Sequence, residues 1–172
     1  MWFALYTRIA LTAAVVGLSV WQFIEGNIGN GIFIILLAMV VSATIFMNEM
    51  MLLAFLQMRK SNFEKADGYL NKIKKPELML GSQEAYYYFL KGTIISHIVS
   101  PGKAESFFKK ALSKGLRFKH DQAMAKLSLA GIAATRRRKR EALNWLNEAK
   151  KLDDKKMLSD QIKMMKQQLG RI

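Results

Sequence analysis

Apolar and charged positions divide the chain into two parts. Of its 172 residues, the first 57 carry only three formal charges and contain two long apolar segments, at about residues 2–24 and 32–56. A helix needs about 20 residues to cross a hydrocarbon core that is about 30 Å thick. The pattern therefore predicts a transmembrane helical hairpin over residues 1–57.

The flanks of the two segments predict an orientation. Residues 25–31, between the segments, are rich in Gly and Asn and hold no Lys or Arg, whereas six basic residues lie between positions 59 and 75. Basic residues stay on the cytoplasmic side of a membrane. The sequence thus predicts a multi-pass protein of the inner (plasma) membrane with both termini in the cytoplasm. A cleaved signal peptide is the alternative for the first segment, although a second apolar segment follows it at once.

The rest of the chain is strongly basic. Residues 58–172 hold 26 Lys and Arg against 11 Asp and Glu, which gives a formal charge of +15. Such a charge favours anionic neighbours, whether lipid headgroups, nucleic acid or an acidic protein. The chain has no cysteine, which excludes a disulfide framework and thiolate metal sites.

Shifting the chain against itself by 38 residues aligns four columns of similar residues. The first column is small throughout and the second is always Ala; the third and fourth follow the second by four and seven residues. The columns are Ala54, Gly92 and Ala130; Ala66, Ala104 and Ala142; Leu70, Phe108 and Leu146; and Ile73, Ala111 and Ala149. Small residues are needed where two antiparallel helices cross closely, and large apolar residues fill the gap one turn later. A repeated pair of helices is therefore predicted.

The repeat resembles a known family. Residues 104–111 read AESFFKKA, similar to the second helix of the tetratricopeptide repeat (TPR), which has Ala, three residues, an aromatic, two residues and Ala. Leu53-Ala54 and Leu129-Ala130 are similar to the Leu and small residue of the family's first helix. The resemblance implies an all-α fold with an α-solenoid after the hairpin. A generic array of helical hairpins is the alternative.

The same comparison implies domain bounds. The repeats would cover about residues 47–154, as three TPR-like helix pairs at about 47–80, 83–118 and 121–154, with residues 155–172 as a C-terminal capping helix. Such arrays need a terminal cap to cover the last pair. No Gly, Pro or Ser lies between residues 46 and 60, so the second apolar segment is predicted to continue unbroken into the first repeat helix.

Capping signals predict where several helices begin. Ser61 and Glu64 have the spacing of a capping box, which would open the second helix of the first pair. Ser100 followed by Pro101 predicts an N-cap and a first-turn proline for the second helix of the second pair. Asp121 is placed to cap the first helix of the third pair.

The TPR resemblance also implies a binding groove, lined by the first helix of each pair. The predicted groove residues are Tyr86, Phe89, Thr93 and His97 in the second pair and Met124, Leu127 and Thr135 in the third. This apolar and aromatic lining favours a helix or peptide of another protein, including a segment of a membrane protein, as the ligand.

The densest run of charge is Arg136, Arg137, Arg138, Lys139 and Arg140. The alignment places it at the turn between the paired helices of the third unit, exposed to solvent. No aromatic residue interleaves the run, as stacking on single-stranded nucleic acid would need. A turn that contacts only solvent is the first interpretation; contact with anionic lipid headgroups comes next, and nucleic acid or an acidic protein are the further alternatives.

Catalytic chemistry is not indicated. The glycines at 26, 29 and 31 follow no strand and fit a turn better than a phosphate loop. The histidines, His97 and His120, are 23 residues apart without a further ligand at metal spacing, and no nucleophile can be paired with a base. We expect no enzyme, no cofactor and no metal site.

Together these patterns predict a membrane-anchored, cytoplasmic TPR-like scaffold or assembly factor that binds other proteins. One alternative is a structural subunit of a larger membrane complex, with the hairpin as its interface. Another is a membrane-tethered binder of nucleic acid or anionic lipid that uses its basic face.

Overall fold

The structure is a computed structural model that describes the backbone of residues 2–46, 48–79 and 81–171 and the side chains of residues 10–38, 48–79 and 81–170. Met47 and Leu80, the predicted bounds of the first pair, lie outside these ranges. The regular elements in the described ranges are all helical, which confirms the all-α class. They are α1 (Trp2–Ile24), α2 (Ile28–Phe46), α3 (Glu49–Arg59), α4 (Phe63–Asn71), α5 (Gly81–Ile98), α6 (Pro101–Lys114), α7 (Lys119–Thr135), α8 (Lys139–Leu152) and α9 (Ser159–Arg171), with a short 3₁₀ helix at Pro76–Leu78.

The chain forms two compact units, Met1–Leu52 (unit 1) and Leu53–Ile172 (unit 2). In unit 1, α1 and α2 pack side by side. Gly26 lies between them with a φ of 79°, a left-handed conformation that suits glycine. The N–H of Asn27 donates to the carbonyl of Gln22 at 3.0 Å and closes the turn. The predicted linker was too long, because α2 already begins at Ile28.

The interior of unit 1 is small. The buried hydroxyl of Ser19 donates to the carbonyl of Gly31 at 3.0 Å, and a Cβ added at Gly31 would lie 2.9 Å from the Phe23 ring. Most large apolar side chains around this contact are exposed, Ile24 to 79% and Phe33 to 69%. Unit 1 therefore presents an extensive apolar surface.

The prediction of two membrane spans is not supported. Among the described residues, none of the helices combines the length and the apolar character that crossing a membrane requires. The second predicted span, residues 32–56, is divided between two helices, since α2 ends at Phe46 and α3 begins at Glu49. The predicted multi-pass location in the inner membrane, with both termini in the cytoplasm, is therefore wrong.

The break between α2 and α3 also contradicts the predicted continuous helix from the second span into the first repeat. The side-chain oxygen of Asn48 accepts a hydrogen bond from the backbone N–H of Met50 at 3.0 Å. Its backbone carbonyl accepts from Met51 and Leu52. Asn is a preferred N-cap because its side chain satisfies a free N–H at a helix start, so a new helix begins here.

Unit 2 repeats the same turn every 38 residues. After each of α3, α5 and α7, an N–H donates to a carbonyl five residues earlier: Asn62 to Gln57 at 2.9 Å, Ser100 to Ile95 at 3.1 Å and Arg138 to Ala133 at 2.8 Å. This bond satisfies a carbonyl that the end of a helix leaves free. The predicted period is thus present in the backbone, because this closing bond recurs at the same register. The helix ends at Arg59, Ile98 and Thr135 keep that register to within one residue.

The four aligned columns form the core of unit 2. All of their members except the half-buried Ile73 are buried. A Cβ added at Gly92 would lie 3.1 Å from the ring of Phe108, so α5 and α6 cross where only a very small residue fits. Side chains in a core pack at the density of organic crystals, which explains why small and large positions recur together.

The last helix, α9, covers the end of unit 2. Its buried residues Ile162 and Leu169, with Leu158 directly before it, pack in one cluster with Leu127 of α7 and Leu146 of α8. It begins at Ser159, later than the predicted start at residue 155. Asp153 is the reason: its carboxylate accepts the backbone N–H groups of Met157 and Leu158, at 3.0 and 2.9 Å, and holds the preceding turn in place.

The predicted caps have mixed outcomes. Ser100 is the N-cap of α6, with Pro101 in the first turn, as predicted. The capping box at Ser61 is wrong, because Asn62 occupies the N-cap position of α4 without a side-chain cap and Ser61 adopts a φ of 58°. Asp121 does not cap α7, which begins at Lys119.

Candidate functional site

Two stripes of side chains from α5 and α7 form what we call the first-helix surface. It consists of Tyr86, Phe89 and Thr93 from α5 and Asp121, Met124, Ser128 and Thr135 from α7. These residues are half-buried or exposed and recur at intervals of three, four and seven residues, which places each stripe on one helix face. The surface therefore joins residues from two of the predicted pairs.

A hydrogen bond links the two stripes. The hydroxyl of Tyr86 donates to the carboxylate of Asp121 at 2.5 Å. The pKa of Tyr86 lies well above its ordinary value, because burial disfavours the phenolate and because Asp121 both accepts its hydrogen bond and repels a second negative charge. The phenol thus remains a neutral donor at physiological pH and holds α5 against α7.

Five of the seven predicted groove residues lie on this surface. Thr93 and Thr135 direct their hydroxyls to carbonyls of their own helices, at 3.0 and 2.8 Å. Phe89 turns one edge of its ring toward Phe108 of α6, with 6.2 Å between the centroids. The exposed part of Met124, at 39%, is larger than that of most apolar residues in unit 2.

The other two predicted residues lie elsewhere. Leu127 is 8% exposed and belongs to the core that α9 covers. His97 stacks on Phe63 of α4, with 4.2 Å between the ring centroids. Leu127 and His97 are therefore removed from the predicted groove.

One exposed aromatic residue at this surface was not predicted from the sequence. Phe118, directly before α7, is 60% exposed, and its ring centroid lies 6.4 Å from that of Tyr86. Its spacing of three from Asp121 and six from Met124 was the signal that could have indicated it. Phe118 extends the apolar part of the surface toward the start of α7.

Ion pairs hold α5 to both α6 and α4. The buried carboxylate of Glu84 lies 2.9 Å from the ammonium of Lys114 on α6. Two turns further along α5, Lys91 donates to Asp67 at 2.6 Å and to Asn71 at 2.7 Å, both on α4. Lys91 and Asp67 are only 12% and 20% exposed, which strengthens their attraction relative to a surface pair.

Two of the five residues in the basic run are engaged within the fold, contrary to the prediction of a fully solvated turn. Arg136 and Arg138 both bind the carboxylate of Glu105 on α6, at 2.5 and 2.9 Å. Arg136 also donates to the carbonyl of Gly102 at 3.0 Å, and Arg138 binds Glu141 at 2.7 Å.

Glu105 is the centre of this cluster. Hydrogen bonds from Lys109 and Arg138, together with their charges, lower its pKa from 4.5 to about 2 against the opposing effect of burial. Lys109 binds it from one turn further along α6, at 2.7 Å. The cluster ties the turn between α7 and α8 to the start of α6.

The remaining three cations of the run, Arg137, Lys139 and Arg140, are exposed. The described part of the chain offers them no ion pair. Arg137 has a φ of 57°. This left-handed conformation is usual for glycine and uncommon for a residue with a long side chain. These three side chains project into solvent from a turn that Glu105 fixes.

Nothing in the described ranges brings three or more His, Cys, Asp or Glu side chains together as a metal site would. No family model matches this chain, and no curated protein or solved structure matches it either.

Proposed function

We propose that the chain is a protein-binding scaffold whose unit 2 is a TPR-like α-solenoid. The 38-residue recurrence of the same turn and of the buried columns supports the solenoid. The observation that carries the binding role is the link from Tyr86 to Asp121, which joins α5 and α7 into one fixed surface.

The partner that suits this surface is an apolar or aromatic helix or peptide of another protein. Phe118, whose ring lies near that of Tyr86, is 60% exposed, and Met124 is 39% exposed. Aromatic side chains and Met are enriched where proteins bind one another, because they bury much apolar area and Met adapts its shape. Further along α7, the hydroxyls of Ser128 and Thr135 donate hydrogen bonds to carbonyls of their own helix. This polar part of the surface could lie next to polar residues of the bound peptide.

The test compares two methionines in the full chain. A photo-crosslinking amino acid at position 124 should capture a discrete protein in cells, and the same residue at position 157 is the matched control. Met157 is 64% exposed and lies in the turn before α9. In pull-downs of tagged chains without the crosslinker, the same protein should be lost in a Met124→Glu chain and retained in a Met157→Glu chain. Equal capture at both positions would refute binding at the first-helix surface.

A second candidate function rests on unit 1, which would serve as the assembly interface of a larger complex. Exposed apolar side chains run along both of its helices; they include Leu11, Leu18, Trp21, Ile24, Phe33 and Leu36. Together such side chains expose on the order of 1,000 Å², above the few hundred Å² usual on monomers and near the area that one partner buries in a standard interface.

The two candidates can be separated with one further variant. Replacing Ile24 and Phe33 by Gln should remove partners that bind through unit 1 and leave those captured at position 124. If one partner is lost both from the Met124→Glu chain and from the Ile24→Gln, Phe33→Gln chain, the variants have failed to fold. Circular dichroism of each variant would reveal this. Retention of every partner in the Ile24→Gln, Phe33→Gln chain would refute the assembly interface.

A further inference from the structure

The three turns that close the helix pairs of unit 2 lie along one edge, which we call the turn edge. It comprises residues 59–62, 98–103 and 136–140. The stacking of His97 on Phe63 brings the end of α5 to the start of α4. The hydrogen bond from Arg136 to the carbonyl of Gly102 likewise brings the end of α7 to the start of α6. The middle turn therefore has one of the other turns on each side.

The turn edge carries a large excess of positive charge. Its exposed cations that make no ion pair in the described chain are Arg59, Lys60, Lys103, Arg137, Lys139 and Arg140. Two carboxylates close to it, Glu105 and Glu141, are already bound by Arg136, Arg138 and Lys109. Glu64, in the first turn of α4, is the remaining acidic residue that the described chain places beside these turns. The exposed cations thus face solvent with little internal compensation.

This placement of cations opposes the stability of the fold. Lys139 and Arg140 lie in the first turn of α8, and Lys103 in the first turn of α6, which has no acidic residue. The start of a helix carries a partial positive charge and disfavours cations. Arg137 also occupies a left-handed position that glycine would fill at lower energy. Departures from local stability rules concentrate at functional positions.

The middle turn adds an apolar feature. Ile98 and Val99 are 39% and 50% exposed, with cations of the outer turns on either side. Aliphatic side chains ringed by Lys and Arg suit the headgroup region of an anionic bilayer, where apolar burial and charge attraction act together. Single-stranded nucleic acid would instead be bound by aromatic side chains that stack on its bases.

We propose that the turn edge docks on an anionic lipid surface, with Ile98 and Val99 entering the headgroup region and the flanking cations binding lipid phosphates. The proposal is independent of the protein-binding role, since none of the residues of the first-helix surface belongs to the turn edge. The scaffold would bind its partner and a lipid surface through different residues.

The first test uses the full chain and vesicles of phosphatidylcholine, with and without phosphatidylglycerol. Because the apolar surface of unit 1 can adsorb to any vesicle, the measured quantity is the ratio of the anionic to the neutral partition coefficient. An Arg137→Gln, Lys139→Gln, Arg140→Gln chain should lower this ratio about 100-fold, at about 1 kcal/mol for each cation near the surface. The matched control is Lys155→Gln, Lys163→Gln, Lys166→Gln, which loses the same charge from exposed positions elsewhere and should change the ratio much less.

A variant that binds vesicles more strongly than the parent is informative because misfolding would not be expected to produce such a gain. Ser61 occupies the position in the first turn that Arg137 occupies in the third, with φ values of 58° and 57°. Ser61→Lys adds a cation to the turn edge and should raise the ratio about fivefold. Equal ratios for the triple variant and its control, or no gain from Ser61→Lys, would overturn the proposal.

A third variant separates lipid from nucleic acid. Ile98→Asn, Val99→Asn keeps every cation and should lower vesicle binding about tenfold while leaving the weak, salt-sensitive binding of a DNA duplex unchanged. If this variant binds vesicles as the parent does, and the triple variant loses duplex binding instead, the turn edge is a nucleic-acid surface and the lipid proposal fails.

Discussion

Replacing Glu105 with glutamine removes the charge on which three cations of unit 2 converge. Lys109, Arg136 and Arg138 all lie within 2.9 Å of its carboxylate oxygens. The pKa of Glu105 falls from 4.5 to about 2 in the folded chain, and at about 1.4 kcal/mol per pKa unit this difference corresponds to about 3 kcal/mol. The three cations are 36–48% exposed and solvent screens them, so we expect Glu105→Gln to cost about 1.5 kcal/mol at pH 7.

The cost of Glu105→Gln should depend on pH in a defined direction. A carboxyl whose pKa is lowered by folding stabilises the folded chain above its unfolded pKa, and this contribution is lost as the pH falls through its folded pKa. For Glu105 the window runs from pH 4.5 down to about 2. The difference in unfolding free energy between the parent and Glu105→Gln should therefore be full at pH 7 and nearly absent at pH 2.

The assay is urea unfolding followed by the fluorescence of Trp145, which donates its indole N–H to Glu141 at 3.3 Å and so reports on this cluster. Trp2 and Trp21 are replaced by Phe in every chain, so that Trp145 is the sole reporter. Glu148→Gln is the control, because Glu148 makes a single, half-exposed pair with Lys126 and should cost about 0.5 kcal/mol or less. A cost for Glu105→Gln that is the same at pH 7 and pH 2 would refute the electrostatic reasoning.

Three further predictions use the same unfolding assay at pH 7. Arg137→Gly should raise the unfolding free energy by about 1 kcal/mol because it relieves a left-handed φ, and Ser61→Gly, at the equivalent turn position, should do likewise; a loss of stability in both would contradict the strain. Gly92→Ala should cost about 1–3 kcal/mol, since its Cβ would meet an aromatic ring of α6 at 3.1 Å, and an unchanged midpoint would show that the ring moves aside. Tyr86→Phe should cost about 1–2 kcal/mol by leaving Asp121 without its donor, and a neutral result would mean that water replaces the hydroxyl.

The helical repeat of unit 2 was predictable because its signals are local. Small residues at 54, 92 and 130 and alanines at 66, 104 and 142 are buried in the structure, and each contributes to packing between helices that are neighbours along the chain. The N-cap at Ser100 depends on a bond to Lys103, three residues away. Interactions over such short separations require similar residue types at regular spacings, and these spacings can be recognised in the sequence.

The candidate surfaces were less predictable because long-range contacts determine them. Leu127 was predicted in the groove, but α9, more than 30 residues later, covers it. Glu105 neutralises part of the basic run across separations of 31 and 33 residues, which no spacing rule indicates. In unit 1, hydropathy alone predicted two spans, whereas the side chain of Asn48 starts a new helix within the second apolar segment.

The order of helix packing in unit 2 has a consequence for biosynthesis. The principal contacts among α4–α9 join helices that follow one another in the chain. At synthesis rates of about 5–20 residues per second, one 38-residue repeat leaves the ribosome in about 2–8 s. Helical domains with such local contacts fold within microseconds to milliseconds. Each helix can therefore pack on its predecessor before the next one emerges, and α9, the last of these six helices, completes the core.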